Sequence, residues 1–254
     1  MLSVTPLAGL PEVRPSDDLA LLIAEALRRP DSGVDELRDT DVLVVAHKVV
    51  SKAQGRIRSL AEVQPSERAR TLALELDKDP RHVQVVLDES SEVLRAARGT
   101  LICVTPQGFV CANAGVDASN VAETDAVVLL PRDPDRSARA LRTRLEELTG
   151  ASPAIVISDS FGRAWRHGQS EIAIGCAGLV PLDDWRGRPD ATGRQLRATS
   201  IAIADQAAAA ADLVRQKDSR EPAVVVRGLE RHVTREHGPG AAALLRPGEE
   251  DLFR

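Results

Sequence analysis

Four short segments of the chain carry charged, hydroxyl and amide side chains close together, and each follows or ends a predicted β-strand. In α/β proteins, functional groups gather at strand ends and in the loops that follow them. The segments are residues 9–13, 46–56, 111–120 and 158–168. Together they supply carboxylates and cations, and phosphoryl transfer uses metal ions and positioned cations around the phosphate oxygens. The pattern predicts a nucleotide-using enzyme.

Residues 46–56 (AHKVVSKAQGR) form the most cationic segment, with Lys48, Lys52 and Arg56 beside His47. We expect a loop here, after an apolar strand over residues 41–48. Side-chain charge and backbone N–H groups in such a loop can bind a polyphosphate. The segment matches neither the P-loop nor the Rossmann glycine pattern. A solvated loop with ordinary surface lysines is the alternative.

Residues 111–120 (CANAGVDASN) place Asn113, Asp117, Ser119 and Asn120 among small residues. Hard cations such as Mg²⁺ and Mn²⁺ prefer carboxylate and amide oxygens, and a crowded turn can bring these together. The segment therefore predicts metal ligands. Alternatively, the same side chains form Asx turns and a helix cap.

Residues 158–168 (SDSFGRAWRHG) begin as an apolar strand ends. Asp159 is a candidate metal ligand, and Arg163 or Arg166 would neutralise charge on an anionic substrate. Trp165 offers a flat apolar surface to a planar ligand. This segment resembles a metal-plus-phosphate arrangement.

The composition excludes several other classes of protein. The chain is 43% hydrophobic and 28% charged, with three phenylalanines, two tryptophans and no tyrosine, so its core must be aliphatic and disorder is excluded. The net charge is −5 and the basic residues are dispersed, which argues against a nucleic-acid binder. No apolar run has the roughly 20 residues of a membrane span and no secretory signal is present, so we expect a cytoplasmic protein.

The three cysteines, Cys103, Cys111 and Cys176, are an odd number without C-x-x-C spacing. This argues against a disulfide framework or a thiolate zinc site. Each lies in an apolar stretch, so we expect buried small hydrophobes.

Apolar periodicity predicts short strands and helices in irregular alternation. Strands are predicted over residues 2–7, 41–48, 100–105, 108–112, 126–130, 154–158, 171–176 and 223–226. Helices are predicted over residues 17–28, 66–78, 81–97, 133–149 and 201–214. The fold class is therefore α/β or mixed α+β, without the regular order of a doubly wound sheet.

Eight motifs in order along nearly the whole chain carry a family resemblance. They are GLPEV (9–13), VVSKAQGR (49–56), QPSERA (64–69), ANAGVDASNV (112–121), SDSFGR (158–163), IAIGCAG (172–178), DDWRGRPD (183–190) and PAVVVRGL (222–229). Together they resemble the coenzyme F420-0:L-glutamate ligase family, the γ-glutamyl ligases of F420 biosynthesis. In some bacterial members this is the N-terminal domain of a bifunctional enzyme.

The resemblance implies GTP-dependent ligation of L-glutamate to the lactyl carboxylate of coenzyme F420-0 through an acyl phosphate. Later rounds would extend a poly-γ-glutamate tail. It implies Mg²⁺ or Mn²⁺, two ions in the site, with K⁺ as a further requirement. It also implies an intertwined α/β homodimer that is neither a Rossmann nor an ATP-grasp fold. The partners are small molecules, with no nucleic acid and no membrane.

The motifs also imply site residues. The nucleotide should contact Leu10, Pro11, Glu12, Val13, His47, Lys48, Lys52, Val214, Arg215, Gln216, Lys217, Asp218, Ser219, Arg220 and Glu221. Metal ligands should be Asp117, Asn120, Asp159, Ser160 and Gln216. Asp117, Asp159 and Arg163 are the expected catalytic residues.

This sequence departs from the family pattern at three of these positions. Gln216 replaces the usual carboxylate and offers one oxygen without charge. Ser160 replaces a threonine, and His47 stands where a small hydroxyl residue is common. Residues 1–245 are predicted to form the ligase domain, and 246–254 a tail or the start of a linker to an absent domain.

Two other functions fit the same residues. A metal-dependent phosphatase or nucleotide hydrolase would direct water at the phosphate. A non-catalytic subunit would bind nucleotide or deazaflavin alone. GTP turnover that requires F420-0 and glutamate together would distinguish a ligase from the hydrolase and from the non-catalytic subunit.

Overall fold

The computed structural model describes residues 1–119, 125–216 and 219–251. The strands found there are β1 (Ser3–Pro6), β2 (Val42–Ala46), β3 (Ile57–Ser59), β4 (Glu92–Ala97), β5 (Thr100–Val104), β6 (Val110–Ala112), β7 (Ala126–Val128), β8 (Ala154–Arg163), β9 (Arg166–Ala177), β10 (Leu182–Asp184), β11 (Ser200–Ala202) and β12 (Ala223–Arg227). The helices are α1 (Leu19–Leu27), α2 (His47–Ala53), α3 (Glu67–Leu76), α4 (Pro80–Asp88), α5 (Pro134–Thr149) and α6 (Ile203–Val214).

A five-stranded sheet in the order β1-β12-β2-β8-β9 forms the centre of the protein. Only the β2–β8 pair within it is parallel, and the other three pairs are antiparallel. The mixed α/β class is confirmed, and the sheet differs from a doubly wound one. Two adjacent parallel strands end at the same edge, which makes that edge the natural place for a site.

The central strands are apolar on both faces because helices cover both. Leu43 and Val45 of β2 pack in a cluster with α1 and α5, whereas Val42 and Val44 pack in a second cluster with the alanines of α6. Side chains alternate between the faces of a strand, so a strand buried on both sides is continuously apolar. Small alanine side chains allow α6 to pack close to the sheet.

A smaller unit, here called the three-stranded layer, consists of β4, β5 and β6 with α3 and α4. It has its own apolar cluster, which includes Leu76, Val86 and Leu101. The chain leaves this layer after β6, and Asp117 then forms a bridge with Val128 of β7. The segment that holds Asp117 is thereby fixed beside β7, which pairs with β3.

Three predicted elements, one helix and two strands, were wrong in extent. The helix expected over residues 81–97 ends at Asp88, and β4 begins at Glu92, because pairing with β5 extends the backbone there. The strands expected over 154–158 and 171–176 are the inner parts of a long β8–β9 hairpin. Its outer half is exposed and polar, so periodicity gave no strand signal.

Helix ends follow the expected chemistry in part. Ser66 caps α3 by accepting the Ala69 N–H, and Gly150 ends α5 with a φ of 78°. The cap of α1 is Asp18, whose side chain accepts the Leu21 N–H. In the described part of the chain, no helix has the length and apolarity that crossing a bilayer requires.

A candidate active site at the ends of two parallel strands

His47 and Asp159 meet at the edge where β2 and β8 end their pairing. Ala46 of β2 pairs with Ser158 of β8. His47 follows Ala46 in the chain, and Asp159 follows Ser158. Nε2 of His47 lies 3.2 Å from Oδ1 of Asp159, and the His47 residue is only 2% exposed. The imidazole therefore contacts Asp159 instead of facing solvent.

The segment expected as a loop after β2 is instead helix α2. His47, Val50 and Ser51 are buried at i, i+3 and i+4, which is the spacing of one helix face. The helix directs Lys48 toward the neighbouring segment and Lys52 toward residue 12. The predicted loop conformation was therefore wrong, and nucleotide binding by Lys48 and Lys52 stays a prediction.

Lys48 joins two of the predicted segments. Its ammonium lies 2.7 Å from Oδ2 of Asp117 and donates to the hydroxyl of Ser119 at 2.6 Å. Oδ1 of Asp117 accepts the Ser119 N–H at 2.6 Å. Burial opposes ionisation of Asp117, but the hydrogen bonds from Lys48 and Ser119 hold the pKa of its carboxyl below the usual value. The carboxylate is therefore ionised and available to a cation at neutral pH.

A buried network lies beneath Asp159. The Ser160 hydroxyl donates to Oε1 of Glu171 at 2.6 Å, and Nη2 of Arg215 lies 2.8 Å from Oε2 of the same carboxylate. Nη2 of Arg215 also donates to the Ser158 hydroxyl at 3.3 Å. Sequence reasoning missed Glu171. The available signal was a carboxylate directly before the apolar run over residues 172–177.

Asp117, Asp159 and Ser160 line one cavity of about 220 Å³, together with Asn113 and Gln169. Among the described residues, no three His, Cys, Asp or Glu side chains cluster as a metal cage. Mg²⁺ rarely needs such a cage, since one or two carboxylates with water and substrate phosphate complete its octahedron. The Asp159 side chain is 15% exposed toward this cavity edge. The donor set thus fits a divalent ion shared with a phosphate.

A larger cavity of about 350 Å³ lies beyond the end of β9 and is lined by Asp183, Trp185, Arg188 and His232. Its one carboxylate already accepts the Trp185 indole N–H at 2.8 Å and lies 3.4 Å from Arg188. The larger cavity therefore lacks the pair of carboxylates beside a lysine that the smaller cavity has. The smaller cavity is the better candidate.

The first predicted segment contacts helix α2 through Glu12. Oε1 of Glu12 accepts from the ammonium of Lys52 at 2.5 Å, and the lysine side chain is only 8% exposed. Val13 is buried in the main core, and Leu10 packs against it. Their side chains therefore serve packing, and the exposed Pro11 lies between Leu10 and Glu12.

Arg163 lies at the tip of the β8–β9 hairpin rather than beside the carboxylates. Its guanidinium donates to the carbonyls of His167 and Gly168, and the residue is exposed. The described structure does not bring it together with Asp117 or Asp159. A catalytic role for Arg163 stays a prediction.

The last predicted segment is described in part. Val214 ends α6 and packs against its cluster, while the carbonyl of Gln216 accepts from Ser219. Glu221 donates its N–H to the Ser219 hydroxyl, and Arg220 adopts a φ of 58°. Asn120, Lys217 and Asp218 lie outside the described residues. Metal ligation by Gln216 stays a prediction.

The cysteines are buried and unpaired, as expected. Burial, followed by the nearby Asp159 carboxylate, raises the pKa of Cys111 to about 12. A thiol with so high a pKa is a poor nucleophile at neutral pH, although Cys111 lines the candidate cavity. The chemistry of the site is that of oxygen donors and cations.

Comparison with known proteins identifies the family of this chain. A family model described as F420-0:Gamma-glutamyl ligase matches residues 9–228. The chain is 46% identical over 255 residues to a coenzyme F420:L-glutamate ligase of Methanopyrus kandleri, covering all of this chain and 98% of that protein. Proteins of the same name from Methanothermobacter thermautotrophicus and Archaeoglobus fulgidus are 45% and 44% identical, with 99% and 96% of their lengths covered. The chain therefore belongs to the F420-0:gamma-glutamyl ligase family, a family of ligase enzymes.

Proposed function

We propose that this protein is a GTP-dependent ligase that joins L-glutamate to the lactyl carboxylate of coenzyme F420-0 and, in later rounds, extends a γ-glutamyl tail. The observation that carries the proposal is the convergence of Asp117 and Asp159 on one cavity beside Lys48. The relatives' names supply the glutamate and the F420 acceptor. The cavity supports the phosphoryl-transfer part, since it offers oxygen ligands and a cation together.

The proposed chemistry has two steps. A lactyl carboxylate oxygen attacks the γ-phosphorus of GTP, the bond to the β,γ-bridging oxygen breaks, and GDP leaves. The α-amino nitrogen of glutamate then attacks the acyl carbon, the bond between that carbon and the phosphate oxygen breaks, phosphate leaves with the oxygen and the electron pair, and the nitrogen loses a proton. The first step is needed because a carboxylate oxygen is a poor leaving group until it is phosphorylated.

Asp117, Asp159 and Ser160 are proposed to hold Mg²⁺ or Mn²⁺, with Asn120 and Gln216 as further ligands and K⁺ as an additional ion. When bound, the divalent ions would neutralise charge on the phosphate oxygens. In the described structure, Lys48 balances the charge of Asp117. A divalent ion at Asp117 would free that ammonium to contact phosphate, so Lys48 is proposed to move between the two.

The nucleotide is proposed to lie along residues 9–13, α2 and residues 214–221. Lys52 supports this placement because its buried ammonium is held by the exposed Glu12, which ties the first segment to α2. His47 would contribute through its backbone, since its ring contacts Asp159. A homodimer in the cytoplasm completes the proposal.

The test incubates the full chain with GTP, Mg²⁺ or Mn²⁺, F420-0 and glutamate, and follows GDP by chromatography and product by mass spectrometry. A ligase sustains GDP release over many turnovers only when both co-substrates are present, since without glutamate the reaction stops at the acyl phosphate, and it yields F420 with added glutamate. GDP release without them would identify a hydrolase instead. Nucleotide binding without turnover would identify a non-catalytic subunit.

A further inference from the structure

We propose that Glu171 is a positioning residue of this site. Its carboxylate fixes the Ser160 hydroxyl oxygen as a metal ligand that faces the cavity, and it also holds the Arg215 guanidinium. The inference deepens the proposed function and rests on it. Glu171 is not among the residues that the family motifs imply. It lies on β9 directly opposite Ser160 of β8.

Both oxygens of the Glu171 carboxylate contact polar groups inside the protein. Oε1 accepts the Ser160 hydroxyl at 2.6 Å, and Oε2 lies 2.8 Å from Arg215. The side chains of Arg215 and Glu171 are only 9% and 5% exposed. A buried ion pair contributes little to stability compared with an apolar pair of the same size. Stability therefore does not explain why a carboxylate stands here, whereas its contacts with Ser160 and Arg215 fit a positioning role.

The chemistry of the hydroxyl explains what Glu171 positions. A serine hydroxyl has one proton to donate and two lone pairs that accept, whereas a carboxylate accepts only. Facing a carboxylate, Ser160 must donate its proton to Glu171. Its lone pairs are then directed away from Glu171, and Ser160 lines the cavity. The hydroxyl is thus fixed as an acceptor, which is what a metal ligand must be.

Asp159 is held separately, by the backbone of Ser160. The Ser160 N–H donates to Oδ1 of Asp159 at 2.8 Å. This donor belongs to the backbone, so rotation of the Ser160 side chain leaves it in place. Glu171 therefore positions the Ser160 hydroxyl and not the Asp159 carboxylate.

Arg215 connects this network to the proposed nucleotide segment. It is the first residue after α6, and its guanidinium also donates to the Pro222 carbonyl at 3.4 Å and to Ser158. Glu171 thus ties the chain that follows α6 to β8. Loss of the carboxylate would release both the hydroxyl of Ser160 and the start of that segment.

The test measures Mn²⁺ binding to the full chain by electron paramagnetic resonance, with and without GDP, for Glu171→Gln and Glu171→Asp. An amide presents donors as well as an acceptor, so Glu171→Gln no longer obliges Ser160 to donate. Residues that orient metal ligands typically change metal affinity by about 10–100-fold when mutated. We expect a loss in that range for Glu171→Gln and partial recovery in Glu171→Asp, which keeps the charge.

Asp184→Asn is the matched control, because this exposed carboxylate pairs with Arg186 on a strand outside the site. It should bind Mn²⁺ as the unmodified protein does. Ser160→Ala should lose affinity, and adding Glu171→Gln to it should cost little more, since both act on one oxygen. If Glu171→Gln fails to fold, the same comparison is made with Glu171→Asp, measured alone and in combination with Ser160→Ala.

The outcomes separate the inference from the proposed function. Mn²⁺ affinity that is unchanged in a folded Glu171→Gln variant, or in Glu171→Asp if only that variant folds, with only thermal stability lowered, overturns the positioning role alone. An unmodified protein that binds no Mn²⁺ and forms no glutamyl product overturns the proposed function and the inference with it.

Discussion

The ammonium of Lys48 lies 2.7 Å from the carboxylate of Asp117 and joins two structural units. Lys48 belongs to the helix that follows β2 of the central sheet, whereas Asp117 follows the last strand of the three-stranded layer. Asp159 reaches the same cavity from β8. The candidate site is therefore assembled from both units.

Asp117→Asn should lower GTP turnover by about 100-fold or more, since removing one group that stabilises developing charge typically costs that much. The fold should be retained because the side chain is 38% exposed. Steady-state GDP release and far-UV circular dichroism measure the two effects. Asp184→Asn serves as the exposed control. Turnover within a few-fold of the unmodified protein would exclude Asp117 from the site.

Asp18 should stabilise the protein in a pH-dependent manner. Burial opposes its ionisation, but hydrogen bonds from the Leu21 N–H and from Arg144 hold the pKa of its carboxyl below the usual value. A carboxyl with a lowered pKa stabilises the fold above its unfolded-state pKa near ~3.9, and this is lost as pH falls through the folded value.

Asp18→Ala should therefore cost about 1 kcal/mol at pH 7, the usual contribution of an N-cap, and distinctly less at pH 3. Urea unfolding at both pH values measures the difference. Asp18→Asn keeps a capping oxygen and should cost less than alanine at pH 7. A cost for alanine that is equal at both pH values would contradict the assignment.

Arg142 should be among the least replaceable residues of the fold. Its guanidinium, in a residue only 2% exposed, donates to the carbonyls of Ser152, Pro153, Thr234, Arg235 and Glu236. Lysine carries its donors at one point and cannot span these carbonyls. Arg142→Lys should lower the free energy of unfolding by about 3 kcal/mol, since several carbonyls lose their donors.

The exposed Arg144 on the same helix supplies the comparison. It pairs with Asp18 and Glu147 at the surface, so Arg144→Lys should change the free energy of unfolding by less than about 0.5 kcal/mol. Equal effects of the two substitutions in urea unfolding would show that the buried carbonyl contacts of Arg142 add no more to the free energy of unfolding than a surface ion pair does.

Gly175 should tolerate no side chain, because an added Cβ would lie 2.5 Å from the Pro134 carbonyl carbon and oxygen. Gly175→Ala should cost about 1–3 kcal/mol, as overpacking does in a close-packed interior. Gly162→Ala is the matched change on the partner strand, where no atom lies within 4 Å of the added carbon. Thermal unfolding of both variants should show a lower Tm only for Gly175→Ala.

Local sequence patterns predicted the helices, the strands and most of the candidate residues. They did not predict contacts between segments that are distant in the sequence. The β2 and α5 predictions were nearly correct because a strand buried on both faces is a continuous apolar run, whereas a helix buried on one face repeats its apolar residues every three to four positions. The Lys48–Asp117 contact joins residues far apart in sequence, and no local pattern specifies it. Glu171 was missed because its partners, Ser160 and Arg215, become neighbours only when β8, β9 and α6 pack together.

The assembly of the cavity from two units affects how activity would be lost. Proteins open in parts, at a free-energy cost below that of complete unfolding. Detachment of the three-stranded layer would remove Asp117 from Lys48 and Asp159 while the central sheet stayed folded. A ligand that bridges the two carboxylates binds only the closed form and adds its binding free energy to that junction. Substrate would thus protect the enzyme against its own partial opening.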